Sequence, residues 1–253
     1  MTIDVGLVNY KTKQLTKICL EHLEKNVVPY VDNIWIVDNN SNDESLELLK
    51  KNKFINLLER KDKDFSGNVA HGKALDLIKS KSNADYLLII HTDTFIFDGA
   101  LIDQLLTEFK KNNKLFVVGC LHQINRGFLR FKYRFLSRFI KFLFRSVVFK
   151  FNKKTRRPAS FNERWIKTFC ACYDLNILKK YKLDFYSKNK VPSNFLQKKL
   201  LNLGYKRKIW TASKIFKYLD HVEEGTHAEL GMNKNRIKRY SRFKSFTDKP
   251  NAT

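Results

Sequence analysis

Apolar and polar residues alternate in blocks through the first half of the chain, and the blocks follow two different periods. Residues 3–9 form a short apolar run ending in Asn9, and the spacing of Leu15, Ile18, Cys19 and Leu23 predicts a helix over 12–25. A buried strand is expected at 34–38, a helix carrying Leu46, Leu48 and Leu49 at 43–53, and a third strand at 54–58. The same alternation predicts a helix over 66–80 with Ser66 as its N-cap, a strand at 86–90, a helix at 100–111 and a strand at 115–120. Strand–helix units whose strands are apolar without interruption predict an α/β fold, with a mostly parallel central sheet flanked by helices on both faces. Polar residues gather just beyond the strands, at Asn9, at 38–43 and at 91–94. In open α/β sheets that carboxyl edge is where ligands bind.

The second half loses this rhythm. Residues 126–157 hold twelve Lys/Arg and nine aromatics but no acid. Arg130, Arg134, Arg138, Lys141 and Arg145 recur at steps of three or four, which predicts a basic stripe along one helix. Phe135, Leu136, Phe139, Ile140, Phe142, Leu143 and Val147 fill the rest of that helix. So regular a charge forbids crossing a bilayer and suits a helix lying among lipid headgroups. Two other readings fit the same pattern: a core helix whose arginine stems reach out to solvent, and a basic–aromatic nucleic-acid surface. Residues 165–178 and 181–185 are mixed, 195–203 reads as a helix closed by Gly204, 205–211 as a strand, and 233–244 as a basic tail. With no repeat or low-complexity linker in view, residues 1–125 and 126–253 are expected to pack as one body.

Composition narrows the classes. The 253 residues are 43% hydrophobic, enough for a sizeable core, which excludes wholesale disorder. Four cysteines without a CxxC pair exclude a disulfide scaffold and a zinc ribbon, and suggest a reducing, cytoplasmic setting. The first residues lack the basic-then-apolar pattern of a leader, and no apolar run is long enough for an ordinary membrane span. The net charge of +24 is unevenly placed: residues 1–125 carry 16 Lys/Arg against 17 Asp/Glu, whereas 126–253 carry 33 against 8. An even lysine bias would raise both halves alike, so the C-terminal half is expected to meet an anionic partner.

Four polar clusters occur in order: 5–10 (Val-Gly-Leu-Val-Asn-Tyr), 36–43 (Ile-Val-Asp-Asn-Asn-Ser-Asn-Asp), 66–72 (Ser-Gly-Asn-Val-Ala-His-Gly) and 88–94 (Leu-Ile-Ile-His-Thr-Asp-Thr). This succession resembles the nucleotide-sugar half of glycosyltransferase family 2, whose members have the GT-A fold. The resemblance covers roughly residues 1–120 and implies a donor site formed by Asn9, Asp38, Asn40, Asn68, His91 and Asp93. It places His91-Thr92-Asp93 at the family's Asp-x-Asp motif, so Asp93 corresponds to the residue that ligates Mn²⁺ or Mg²⁺, with His91 replacing the first acid. A late histidine completes the metal site in many such enzymes, and His221 is the candidate here, with His227 second. The base of inverting relatives would fall at Ser193, and no Asp or Glu occurs between Asp184 and Asp220. Asp174 is then the candidate base, with Glu224 as the alternative and Asp184 and Glu223 also available.

What the resemblance implies is an inverting, metal-dependent glycosyltransferase in surface polysaccharide synthesis. Its donor would be a nucleotide sugar and its acceptor a glycan or a lipid-linked molecule. Arg130, Arg134, Arg138, Lys141 and Arg145 would hold it as a peripheral protein on the inner, anionic face of the cell membrane. A nucleic-acid-binding α/β protein explains the basic half but leaves Asp38 and 91–93 without a role. A relative that binds the donor without catalysis explains the missing base.

Overall fold

The computed structural model describes residues 1–62, 67–125, 127–153, 164–188, 191–222 and 225–229. Ser66, Glu223, Glu224, the side chain of Arg130 and the basic tail at 233–244 lie outside the described residues. In chain order the elements are β1 (Ile3–Asn9), α1 (Lys13–Asn26), β2 (Asn33–Asp38), α2 (Glu44–Lys50), β3 (Asn56–Glu59), α3 (Gly67–Lys81), β4 (Tyr86–Ile90), β5 (Thr94–Ile96), α4 (Ala100–Lys110) and β6 (Leu115–Cys120). They continue with α5 (Phe128–Phe151), β7 (Cys170–Asp174), α6 (Leu175–Lys180), α7 (Asn194–Asn202), β8 (Lys206–Trp210), α8 (Ala212–Ile215), β9 (Leu219–His221) and α9 (Gly225–Glu229).

Seven strands form the central sheet in the order β3-β2-β1-β4-β7-β6-β8. All its strand pairs are parallel except the two made by β7, which runs antiparallel to β4 and to β6. The expected α/β sheet is therefore present. The stretch at 165–178, which shows no clean period, resolves into β7 and α6. Cys170, Ala171, Cys172 and Tyr173 are all fully buried in the middle of the sheet. A strand covered on both faces needs no polar alternation, so its pattern cannot be told from a buried helix.

The strands divide the core by the period-two rule. Ile3, Val5, Leu7, Ile34, Ile36, Leu88 and Ile90 face one apolar layer together with Leu15, Leu23, Leu49 and Leu105 of α1, α2 and α4. Val37, Leu87 and Ile89 face the other, with Leu75 and Ile78 of α3, Leu178 of α6 and Leu196 of α7. Gly204 closes α7 with φ of +83°, the left-handed turn that glycine adopts without a Cβ penalty.

Two features aim the carboxyl edge. The chain runs from β1 out to β2 and β3 on one side and returns to β4 on the other, so a crevice opens between the ends of β1 and β4. β5 and β9 then pair antiparallel above that edge, with Thr94 opposite His221 and Ile96 opposite Leu219. Residues far apart in sequence thereby meet where the parallel strands end.

Candidate active site

At the end of β1, Asn9 is fully buried and acts as a fastener. Its Nδ2 donates to Asp38 Oδ1 at 2.7 Å and Ser45 Oγ at 2.8 Å, and its Oδ1 accepts from Thr16 Oγ1 at 2.9 Å. Asp38, at the end of β2, also accepts from the Ser41 amide at 2.9 Å. Both expected donor residues thus sit at the crevice, but the amide of Asn9 is engaged within the protein, which gives it a positioning role. Asn40 follows with φ of +61°, and its Oδ1 accepts from Asn42 Nδ2 at 2.9 Å, which holds the turn open beside the crevice. Asn68 lies exposed on the first turn of α3 and makes no hydrogen bond among the described residues.

The turn after β4 and the end of β9 build the second cluster. His91, Asp93 and His221 offer ligand atoms that all lie within 4.8 Å of one another. His221 Nε2 is 3.1 Å from Asp93 Oδ1, and His91 Nδ1 is 3.8 Å from the same oxygen. Asp93 is held from behind: its Oδ2 accepts from the Gly225 amide at 2.8 Å, and its carbonyl from the Val222 amide at 3.0 Å. A Cβ on Gly225 would lie 2.7 Å from Asp93 Cβ and 2.5 Å from Leu15 Cδ1, so only glycine permits that approach. The two imidazoles are also oriented. His221 Nδ1 lies 2.9 Å from the Gln123 carbonyl, which fixes the proton on Nδ1 and turns Nε2 toward Asp93. His91 Nε2 pairs with Thr168 Oγ1 at 3.1 Å.

Charge state follows from these contacts. Burial alone would raise the Asp93 carboxyl, but His221 first, then His91 and the Gly225 amide, outweigh it and hold the group below the usual carboxylate range. Burial lowers His91 to about 3, with neighbouring His71 adding to the effect. An ionised carboxylate beside the His91 imidazole, which burial keeps neutral, with His221 Nε2 turned toward the same oxygen, is a cation-ready donor set. The side chain of His91 is 27% exposed, so the cluster reaches solvent through His91, while Asp93 and His221 lie buried behind it. These donors fit a divalent cation: two imidazoles make Mg²⁺ a poor match, and Mn²⁺ accepts a carboxylate together with imidazole.

Other expectations are corrected by placement. Asp174 pairs with Tyr86 at the opposite end of β4, roughly 13 Å along the strand from the site. Its Oδ1 caps α6 by accepting from the Ile177 amide at 2.9 Å, so Asp174 is a helix cap and cannot serve as the base. The antiparallel course of β7 is the reason, because it carries the end of that strand away from the carboxyl edge. Asp184 pairs with Lys79 outside the crevice. His227 is exposed on α9, so His221 is the histidine that enters. Ser193, where an acid would stand in inverting relatives, is buried with φ of +65° and accepts from Gln197 Nε2 at 3.2 Å.

Thr168 and the Gln123 carbonyl escape the sequence reading because each comes from a segment with no motif of its own. The histidine of the 66–72 cluster could have been found. His71 stacks edge-on against His91, with ring centroids 5.3 Å apart and planes at 89°, and burial lowers it to about 4.

Comparisons with known proteins agree with this architecture. The model of glycosyl transferase family 2 matches residues 4–184. A mannosyltransferase from Pyrobaculum calidifontis, solved with GDP-Man and Mn²⁺, superposes with a TM-score of 0.58 at 12% identity, covering 83% of this chain. The chain spans about half that enzyme's length, 54%. S. aureus TarS 1–349 superposes over 100% of this chain and 76% of its own, with a TM-score of 0.56 at 15% identity. At such identities the likeness carries the fold. No curated protein sequence matches the chain.

Proposed function

The chain belongs to glycosyl transferase family 2, and on that premise we propose that it transfers a sugar from a nucleoside-diphosphate donor, with a divalent cation, to a glycan or lipid-linked acceptor in surface polysaccharide synthesis. The observation that carries this reading is the His91–Asp93–His221 cluster at the carboxyl edge, beside the crevice between β1 and β4. The solved mannosyltransferase that shares the fold was crystallised with GDP-Man and Mn²⁺, which supports a donor and a metal of those classes.

In this reading Asp38 and Asn40 receive the nucleoside at the ends of β2, where a carboxylate accepts hydrogen bonds from base or ribose. Asn9 keeps Asp38 in place, and Asn68 approaches the donor from the first turn of α3. His91, Asp93 and His221 hold the cation, Mn²⁺ in preference to Mg²⁺. When bound, it offsets the charge that develops on the departing diphosphate. The Gln123 carbonyl and the Gly225 amide preset His221 and Asp93, so the site needs little rearrangement during transfer. Residues 1–125 supply the donor side, completed by His221 and Gly225, and 126–253 otherwise supply the acceptor and membrane side. An inverting outcome requires a base, and Glu224, with Glu223 beside it, is the remaining candidate from the sequence.

Helix α5 supports a peripheral place on the inner, anionic face of the membrane. No described helix is long and apolar enough to cross a membrane. Yet Leu129, Tyr133, Leu136, Ile140, Leu143, Val147 and Phe151 are all exposed, and steps of three and four place them on one face. Lys132 and Lys150 border that face, and Arg134, Lys141 and Arg145 lie further round the helix toward its opposite side. An exposed apolar face with basic residues beside and behind it is the pattern of a helix lying in the headgroup region. A nucleic-acid surface has no use for a continuous exposed apolar stripe.

The test is a thermal-shift panel of GDP-mannose and UDP-GlcNAc, each with and without Mn²⁺. A donor at about 100–1,000 times its dissociation constant adds roughly 3–4 kcal/mol to the native state. We expect stabilisation only when sugar nucleotide and Mn²⁺ are both present, and its loss in Asp93→Asn. A wild-type protein indifferent to every donor would overturn the reading.

A further inference from the structure

His71 stands apart from the other imidazoles of the cluster. Both nitrogens of His91 and of His221 have polar neighbours: Thr168 and Asp93 for the first, Gln123 and Asp93 for the second. His71 Nε2 is buried and has no hydrogen-bond partner among the described residues. Leaving such a group without a partner is costly, so a position of this kind calls for a ligand.

Its placement is not accidental slack. Gly72, the next residue, packs so closely that a Cβ there would sit 2.9 Å from Tyr186 Cα. One turn further along α3, Asp76 accepts from the amides of Phe185 and Tyr186 at 2.7 and 3.0 Å. The helix is therefore pinned against the 185–186 segment, and His71 is held edge-on to His91 on a rigid support. It is not part of the set that converges on a single ion, since its ligand atoms do not share the mutual spacing of His91, Asp93 and His221. Its ring, edge-on to His91 with centroids 5.3 Å apart, lies directly beside that set.

We propose that His71, carrying its proton on Nε2, donates a hydrogen bond to a non-bridging phosphate oxygen of the nucleoside diphosphate. It would thus contact the leaving group beside the cation site. The inference rests on the donor reading above and adds a residue to it. The bond is made to an acceptor whose negative charge increases as the glycosidic bond breaks, so it strengthens along the reaction. No covalent step is involved.

Calorimetric titration tests this with UDP and GDP in the presence of Mn²⁺, with Mn²⁺ alone, and with inorganic phosphate plus Mn²⁺. Wild type is compared with His71→Ala and His71→Gln, each checked for an unchanged circular-dichroism spectrum and melting temperature. Loss of one hydrogen bond to a charged acceptor predicts a roughly 10- to 100-fold weaker affinity of His71→Ala for the preferred nucleoside diphosphate. Mn²⁺ alone should bind as before, and the amide N–H of His71→Gln should restore part of the loss. Inorganic phosphate separates the sources: weakening there as well assigns the contact to any metal-bound phosphate, and weakening for the diphosphate alone assigns it to the nucleotide. Unchanged diphosphate affinity in a folded His71→Ala overturns the proposal, as does an equal loss of Mn²⁺ alone, which would make His71 a metal ligand. No diphosphate binding by wild type overturns the donor reading itself.

Discussion

At the scale of single residues, the site shows how neighbours set chemistry. Asp93 would be an ordinary buried acid without His221 and the Gly225 amide. With them it stays ionised in a place where burial alone would protonate it. Asp76 is the opposite case: burial dominates over the amides of Tyr186 and Phe185 and raises its carboxyl to about 6. Its folded-state value lies above the unfolded one, so between about pH 4 and pH 6 the native state binds the extra proton and stability declines as pH rises. Two units correspond to at most about 3 kcal/mol. Urea denaturation of wild type and Asp76→Asn across that range should show the decline in wild type and its absence in the variant. Parallel profiles would remove Asp76 as the cause.

At the scale of elements, α3 carries His71 and must hold its distance from the sheet. Replacing Gly72 by alanine in a free helix would gain about 1 kcal/mol. Here the added carbon would meet Tyr186 backbone at 2.9 Å, and overpacking of that kind costs about 1–3 kcal/mol. The clash wins because backbone cannot rotate away. Gly72→Ala is expected to lower the urea midpoint and to weaken nucleotide binding through displacement of His71; a raised midpoint would show that the 185–186 segment yields. Most elements were legible in the sequence: β1, β2, β4 and β6 fall where uninterrupted apolar runs placed them, and α1 and α4 where the helical spacing did. β3 sits at 56–59 instead of 54–58, since Phe54 and Ile55 pack from the preceding turn. β5 and β9, three residues each, carry no periodic signal at all.

At the scale of the molecule, two surfaces of different character are joined by a short path. The Gln123 carbonyl that orients His221 lies only five residues before α5 begins, so the basic amphipathic helix starts within about 20 Å of the His91–Asp93–His221 cluster. Five basic residues at ~1 kcal/mol each suffice for peripheral binding to anionic lipid. In the proposed membrane role, the exposed apolar stripe would add an insertion that charge alone lacks. Vesicles containing phosphatidylglycerol should sediment the protein at low salt, and pure phosphatidylcholine vesicles should not. The triple change Leu136→Glu, Ile140→Glu, Leu143→Glu should abolish sedimentation while leaving the melting temperature intact, because all three side chains are exposed. So should Arg134→Glu, Arg138→Glu, Arg145→Glu. Undiminished sedimentation by both variants would dismiss the membrane surface.

The chain's own order of residues determined the α/β layering, the polar carboxyl edge and the amphipathic character of α5. These are local properties, written in spacing and composition within a few turns or strands. Only the tertiary structure decided that Asp174 faces away, that Asn9 serves Asp38, and that Thr168, Gln123, Gly225 and His71 gather around His91 and His221. The reason is that β7 and β9 return from far along the chain to pair with β4 and β5. The direction of such a return is fixed by hydrogen-bond register and core packing, neither of which has a period that a single sequence displays.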